Sequence, residues 1–137
     1  MSMRGLIIAW IAIAIILVAF VRASRFESPR SVYLPLATEA LPDLCTFRNL
    51  FAIDCPGCGM TRSFILTSRF RLADAWTMNP AGTLAFASIV LSIPWRITQW
   101  IMLTRGRPIQ STAPLEVGWL TMITLVMMVN WAWKEFA

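Results

Sequence analysis

Apolar positions in this chain run in long blocks, separated by short charged or Pro/Gly-containing breaks. The first block, LIIAWIAIAIILVAFV after Gly5, covers about residues 5–21 and is bracketed by Arg4 and Arg22. An apolar run of this length predicts a membrane-crossing helix. A cleavable signal peptide is the competing reading, because Val21, Arg22 and Ala23 loosely imitate a small-residue cleavage site. The run is, however, longer than a usual signal h-region. The second block starts at Asn79 and Pro80 and continues to about residue 103. Asn suits a helix cap, and Pro suits the first turn, where its missing N–H costs nothing. Pro94 inside the block predicts a kink. The third block, about residues 117–133, ends in WAWK, an aromatic belt with a cationic tail.

Three alternating crossings place Trp10, Trp95, Trp100 and Trp119 near one interface and Trp131 and Trp133 near the other. Two belts of this kind are what a spanning bundle requires. Arg96, beside Trp95 and Trp100, reads as an interfacial anchor with its guanidinium snorkelling to water. The alternative makes it an intramembrane charge on a polar path, with Gln99 and Asn130 as the other polar groups near the spans. Met122, Met127 and Met128 read as packing residues. Arg105, Gly106, Arg107 and Pro108 form the short link between the second and third spans. The pattern therefore predicts an all-α, polytopic membrane protein with a single membrane domain over residues 1–137. Its spans fall at about 5–21, 80–103 and 117–133, and a long link occupies residues 22–78.

Within that link, Pro29, Pro35 and Pro42 predict an extended or irregular course over residues 23–43. Residues 60–78 carry Phe64, Ile65, Phe70, Leu72 and Trp76 near helical spacing, which predicts an amphipathic helix at the membrane interface or against the bundle.

Composition supports the membrane assignment: 58% of residues are hydrophobic and 14% charged, against about 45–50% and 25% in soluble domains. The net charge is +5, but the basic residues sit at block edges, as headgroup anchors do, so no nucleic-acid partner is expected. Arg22, Arg25, Arg30, Arg48, Arg62, Arg69, Arg71 and Lys134 fall on the side of the long link, and Arg4, Arg105 and Arg107 on the other. By the positive-inside rule the link faces the cytoplasm and the N-terminus lies outside. The chain has no His, which removes the commonest general base and metal ligand and with them haem, histidine-zinc and Ser/His/Asp chemistry.

All three cysteines lie in the segment CTFRNLFAIDCPGCGMTRS, Cys45 to Ser63. Cys55, Pro56, Gly57, Cys58 and Gly59 form a CPxCG knuckle, which aims two thiolates at one centre while small residues let the backbone turn toward sulfur. In a zinc site Cys45 would be the third ligand, and Asp54, Asp43 or another subunit would have to complete the tetrahedron. The same thiols also fit disulfide exchange between Cys55 and Cys58 with Cys45 as resolving partner, although no βαβ pattern surrounds them. A third reading leaves the cysteines as packing groups in a tight turn. Thr61 is expected to cap the following helix, and Arg62 to pair with Asp54 or Asp74 or to hold an anionic headgroup.

The run CPGCGMTRSF, the cysteine ten positions upstream and the later Asn-Pro resemble a family of small bacterial multi-pass membrane proteins classed as a domain of unknown function. The resemblance covers about residues 45–91 and falls on Cys45, Cys55, Pro56, Gly57, Cys58, Gly59, Thr61, Arg62, Asn79 and Pro80. It implies a multi-pass protein of the bacterial cytoplasmic membrane and no particular activity. Together these readings lead to an expected non-enzymatic accessory or assembly subunit, in contact with lipid and with other membrane subunits or further copies of itself. A membrane thiol-disulfide oxidoreductase is the alternative, and a small transporter or channel component the third.

Overall fold

The computed structural model describes residues 3–26, 32–35, 39, 45, 50–51, 53–107 and 112–136. Arg30, Arg48, Asp43, Pro29, Pro42 and Pro108, which entered the expectations above, lie outside them.

Three helices are long and apolar enough to cross a membrane: α1 (Met3–Ala23), α4 (Pro80–Thr104) and α5 (Ala113–Phe136). Their 21, 25 and 24 residues correspond to roughly 31–37 Å of helix, enough for a hydrocarbon core of about 30 Å. In α1 the buried residues are Ile7, Ala14 and Val21, one every two turns, so a single seam faces the bundle while the other faces stay apolar for lipid. Its C-terminal carbonyls are covered: Ser24 donates to Phe20, and the Arg69 guanidinium donates to the Ser24 carbonyl at 2.8 Å.

Between α1 and α4 the described chain pairs Arg25–Phe26 (β1) with Val32–Tyr33 (β2) as a two-residue antiparallel ribbon, within the stretch expected to be extended or irregular. The segment after the knuckle is helical, as expected, but in two pieces: α2 (Met60–Ser68) and α3 (Leu72–Met78). The break lies at Arg69 and Phe70. Arg71 N–H returns to the Leu66 carbonyl and Phe70 N–H to the Thr67 carbonyl, a helix-ending double bond that places Phe70 in the left-handed region at φ 61°. Only α3 presents an interfacial face, with Leu72 and Trp76 exposed. In α2, by contrast, Ser63, Ile65, Leu66, Thr67 and Ser68 are buried, so this helix tucks into the bundle. Its buried hydroxyls bond to carbonyls of their own helix, Thr67 to Ser63 and Ser68 to Ile65, which removes the cost of burying them.

The apolar core, Val21, Ile65 and Phe86 with Leu17, Val18, Phe26, Val32 and Phe64 around them, sits where α1 ends, α2 lies and α4 begins. The Phe64 and Phe86 rings meet at 5.4 Å. Gly82 makes this packing possible, because a Cβ there would fall 2.1 Å from Ser63 Oγ. At the far end Arg4 donates to the Leu103 carbonyl, so α1 and α4 run antiparallel. Helix α5 begins at Ala113, four residues before the apolar block suggested: Thr112 accepts the Glu116 N–H at its carbonyl and donates its hydroxyl to the Glu116 carboxylate, starting a helix that polar residues join. No described residue of α5 is buried.

Candidate metal centre

The knuckle closes on itself through Cys58 N–H to the Cys55 carbonyl at 2.9 Å and Met60 N–H to the Gly57 carbonyl at 3.1 Å. Gly59 then enters α2 with φ 84°, a left-handed conformation that glycine adopts freely, and a Cβ there would crowd the Met78 carbonyl at 3.3 Å. Gly59 is therefore the residue preceding α2, which has no side-chain cap. Thr61 does not cap it, because the turn that delivers Cys58 leaves Thr61 inside the first turn and exposed.

This turn brings Cys55 Sγ to 3.4 Å from Cys58 Sγ, and Cys45 Sγ lies 3.7 Å from Cys58 Sγ. All three sulfurs fall within 4.8 Å of one another, half-buried. At a Zn–S bond of about 2.3 Å, tetrahedral thiolates stand about 3.8 Å apart. The observed spacing therefore fits a shared ion. Among the described residues the cluster stops at these three cysteines: the Asp54 carboxylate does not join it, and Asp43 lies outside the described chain.

Burial pushes the Cys58 thiol up to about 12, reinforced by its contacts with Cys55 and Cys45 and opposed by a backbone hydrogen bond from Cys55. Without a cation, the central sulfur of the cluster keeps its proton. A bound metal reverses this by stabilising the thiolate directly.

Two devices hold the knuckle in place. Asn79, 1% exposed, accepts the Gly82 N–H at its Oδ1 and so caps α4, with Pro80 at the first position. Its Nδ2 donates to the carbonyls of Cys58 at 3.2 Å and Pro56 at 3.4 Å. The second device comes from the far end of the chain: Trp131 Nε1 donates to the Asp54 carbonyl at 2.6 Å, and Lys134 Nζ to the Met78 carbonyl at 2.8 Å. Sequence reasoning read these two residues only as a belt and a tail. Nothing in a local pattern marks a contact spanning 77 positions. Arg62 is half-buried beside Gly59, and Asp74 is taken by Arg71 at 2.7 Å.

Residues 45–93 match the model of a family described as a protein of unknown function, DUF2752. The DUF2752 match begins at the first cysteine and ends just before Pro94. It thus contains the three thiols, the knuckle, α2, α3, Asn79 and the first half of α4. The segment similar to DUF2752 is in this way the same unit that the hydrogen bonds of Asn79 tie together, whereas α1 and α5 lie outside it. No curated protein and no solved structure matches the chain.

Proposed function

We propose that this small membrane protein is an accessory or assembly subunit of the bacterial cytoplasmic membrane, in which Cys45, Cys55 and Cys58 hold one zinc ion that fixes the knuckle. The observation that carries this reading is the convergence of three thiols, recruited from positions 45, 55 and 58, to separations within 4.8 Å. The chemistry supplied by zinc is structural: it holds the three sulfurs as thiolates at a fixed geometry. Everything else is done by the chain. Asn79 and Trp131 fix the carbonyls on either side of Cys55, so the ligands are presented on a backbone already pinned to α4 and α5. The absence of His from the sequence and the satisfaction of the buried hydroxyls within their own helices support a structural role over a catalytic one.

Metal analysis of the purified chain, together with a thiol count, tests this. About one zinc per chain is expected. Cys55→Ser and Cys58→Ser should each lose the ion and lower thermal stability equally, and the double substitution should add nothing, because one shared centre is lost only once. A chelator should reproduce the loss. The 3.4 Å separation of Cys55 and Cys58 also favours a second reading, reversible disulfide exchange. The raised Cys58 thiol argues against it as the attacking group. Metal-free protein with a Cys55–Cys58 disulfide trapped from native membranes would decide for exchange.

A further inference from the structure

A groove of about 540 Å³ lies between α1, α4 and α5, running along α4 from Ala85 to Arg96, so that it begins inside the DUF2752 match and ends beyond it. That volume is in the range of sites that enclose small molecules, about 300–1,000 Å³. Its walls are mostly apolar, with Ile89, Leu120 and Trp119 among them, and its lining carries two opposite charges, Arg96 and Glu116. Arg96 Nη2 meets Glu116 Oε1 at 2.7 Å, with the side chains 23% and 49% exposed. The Arg96 guanidinium lies 5.6 Å over the Trp10 ring. It is thus turned inward to α5 and α1, and does not snorkel freely as an anchor would.

This pair has capacity to spare. Arg96 donates once to Gln99 and once to Glu116, which leaves three of its five N–H groups unengaged among the described residues. Glu116 Oε1 accepts from Arg96 and Thr112, while Oε2 makes no hydrogen bond among them. An unspent donor set and an unspent carboxylate oxygen therefore stand side by side in the lining of a mostly apolar groove. Arg96 lies eight residues before the end of α4 at Thr104, about 12 Å along the axis. Glu116 is three residues into α5, about 5 Å from its start. The pair is therefore sunk below the helix ends, near the level where headgroup gives way to acyl chain.

We propose that this groove binds one zwitterionic phospholipid of the ethanolamine type, its phosphate on Arg96, its primary ammonium on Glu116 and an acyl chain along Ile89, Trp119 and Leu120. The spare groups match both headgroup charges. A purely anionic lipid would satisfy Arg96 but would bring no cation to Glu116, and a choline headgroup offers no N–H to donate.

The test is native mass spectrometry of the full chain in mild detergent with phosphatidylethanolamine, phosphatidylglycerol and phosphatidylcholine of identical chains, together with its oligomeric mass. One retained phosphatidylethanolamine is expected, favoured about tenfold over each of the others, as one charge-assisted hydrogen bond provides. Glu116→Gln should move the preference toward phosphatidylglycerol. Ile89→Trp, which fills the groove and leaves the ion pair untouched, should lose all three lipids. Equal retention of the three lipids by the native chain overturns the proposal, and so does unchanged retention in Ile89→Trp. A native dimer that Ile89→Trp converts to monomer without loss of lipid overturns it too, assigning the groove to a second copy.

Discussion

Asn79 uses both ends of its amide, one on the first turn of α4 and the other on the knuckle carbonyls of Pro56 and Cys58. Asn79→Asp keeps the capping oxygen and removes the donor, whereas Asn79→Ala removes both. Asn79→Ala is expected to cost about 1–3 kcal/mol, from a lost cap and buried carbonyls left without a donor. Asn79→Asp should retain the cap yet weaken metal retention, because the carboxylate repels the carbonyls it replaces a donor for. Thermal melts in detergent with parallel zinc titration separate the two effects. The sequence showed Asn79 as a cap from its place before Pro80; its second role was not legible, since nothing local ties positions 56 and 58 to 79.

Cys58 makes a pH prediction with a definite sign. Its thiol, pushed up to about 12 by burial, holds its proton in the metal-free protein throughout the neutral range. Zinc binding must therefore expel at least that proton, and the apparent affinity should weaken about tenfold per pH unit of acidification for each proton released. Zinc titrations in buffers of differing ionisation heat measure the number. An uptake independent of pH would mean that the metal does not use this sulfur.

At the scale of elements, two helices end in the same hydrogen-bonded pattern with different residues at the left-handed position. Helix α4 places Gly106 there at φ 69°, and α2 places Phe70 at φ 61°. A bulky residue is strained in that region, so Phe70→Gly should stabilise the α2–α3 turn by about 1 kcal/mol, read as a raised melting temperature in detergent. Phe70 is also 81% exposed, so its own packing contributes little within the chain. This explains why residues 60–78 read as one helix: the usual glycine signal for a break is missing, and periodicity continues across it. The contact of α2 with α4 depends on Gly82 in the same local way. Gly82→Ala drives a methyl into Ser63 Oγ and should cost about 1–3 kcal/mol, and Gly82→Ala with Ser63→Gly should recover part of the loss in the same melt. The spans themselves were legible because long apolar runs admit little else in lipid. The extent of α5 was less so, because Glu116 interrupts the run while joining the helix.

For the whole molecule, alternation of α1, α4 and α5 gathers the knuckle, α2, α3 and the end of α5 at one end of the bundle, with Arg4, Leu103 and the Arg96–Glu116 pair toward the other. From the distribution of arginines, the positive-inside rule predicts that the knuckle end faces the cytoplasm. An impermeant thiol reagent applied to intact cells should then leave Cys45, Cys55 and Cys58 unmodified, and should modify a cysteine introduced at Gly106. Labelling of the native cysteines from outside reverses the orientation. The three-span plan followed from the hydrophobic blocks and the tryptophan belts. The pairing of Arg96 with Glu116 did not, because the two residues lie on different helices and are joined only by the way those helices pack.

The bonds from Trp131 and Lys134 to the carbonyls of Asp54 and Met78 also impose an order in time. The ribosome delivers the knuckle about 77 residues before the indole that secures it, a delay of several seconds at 5–20 residues per second. During that interval the thiols are already synthesised but lack the latch that only the last helix brings. The cysteine turn is thereby held in place only after the final helix has been made. A nascent chain stalled before Trp131 should expose its thiols to alkylation, and release of the full chain should close them off.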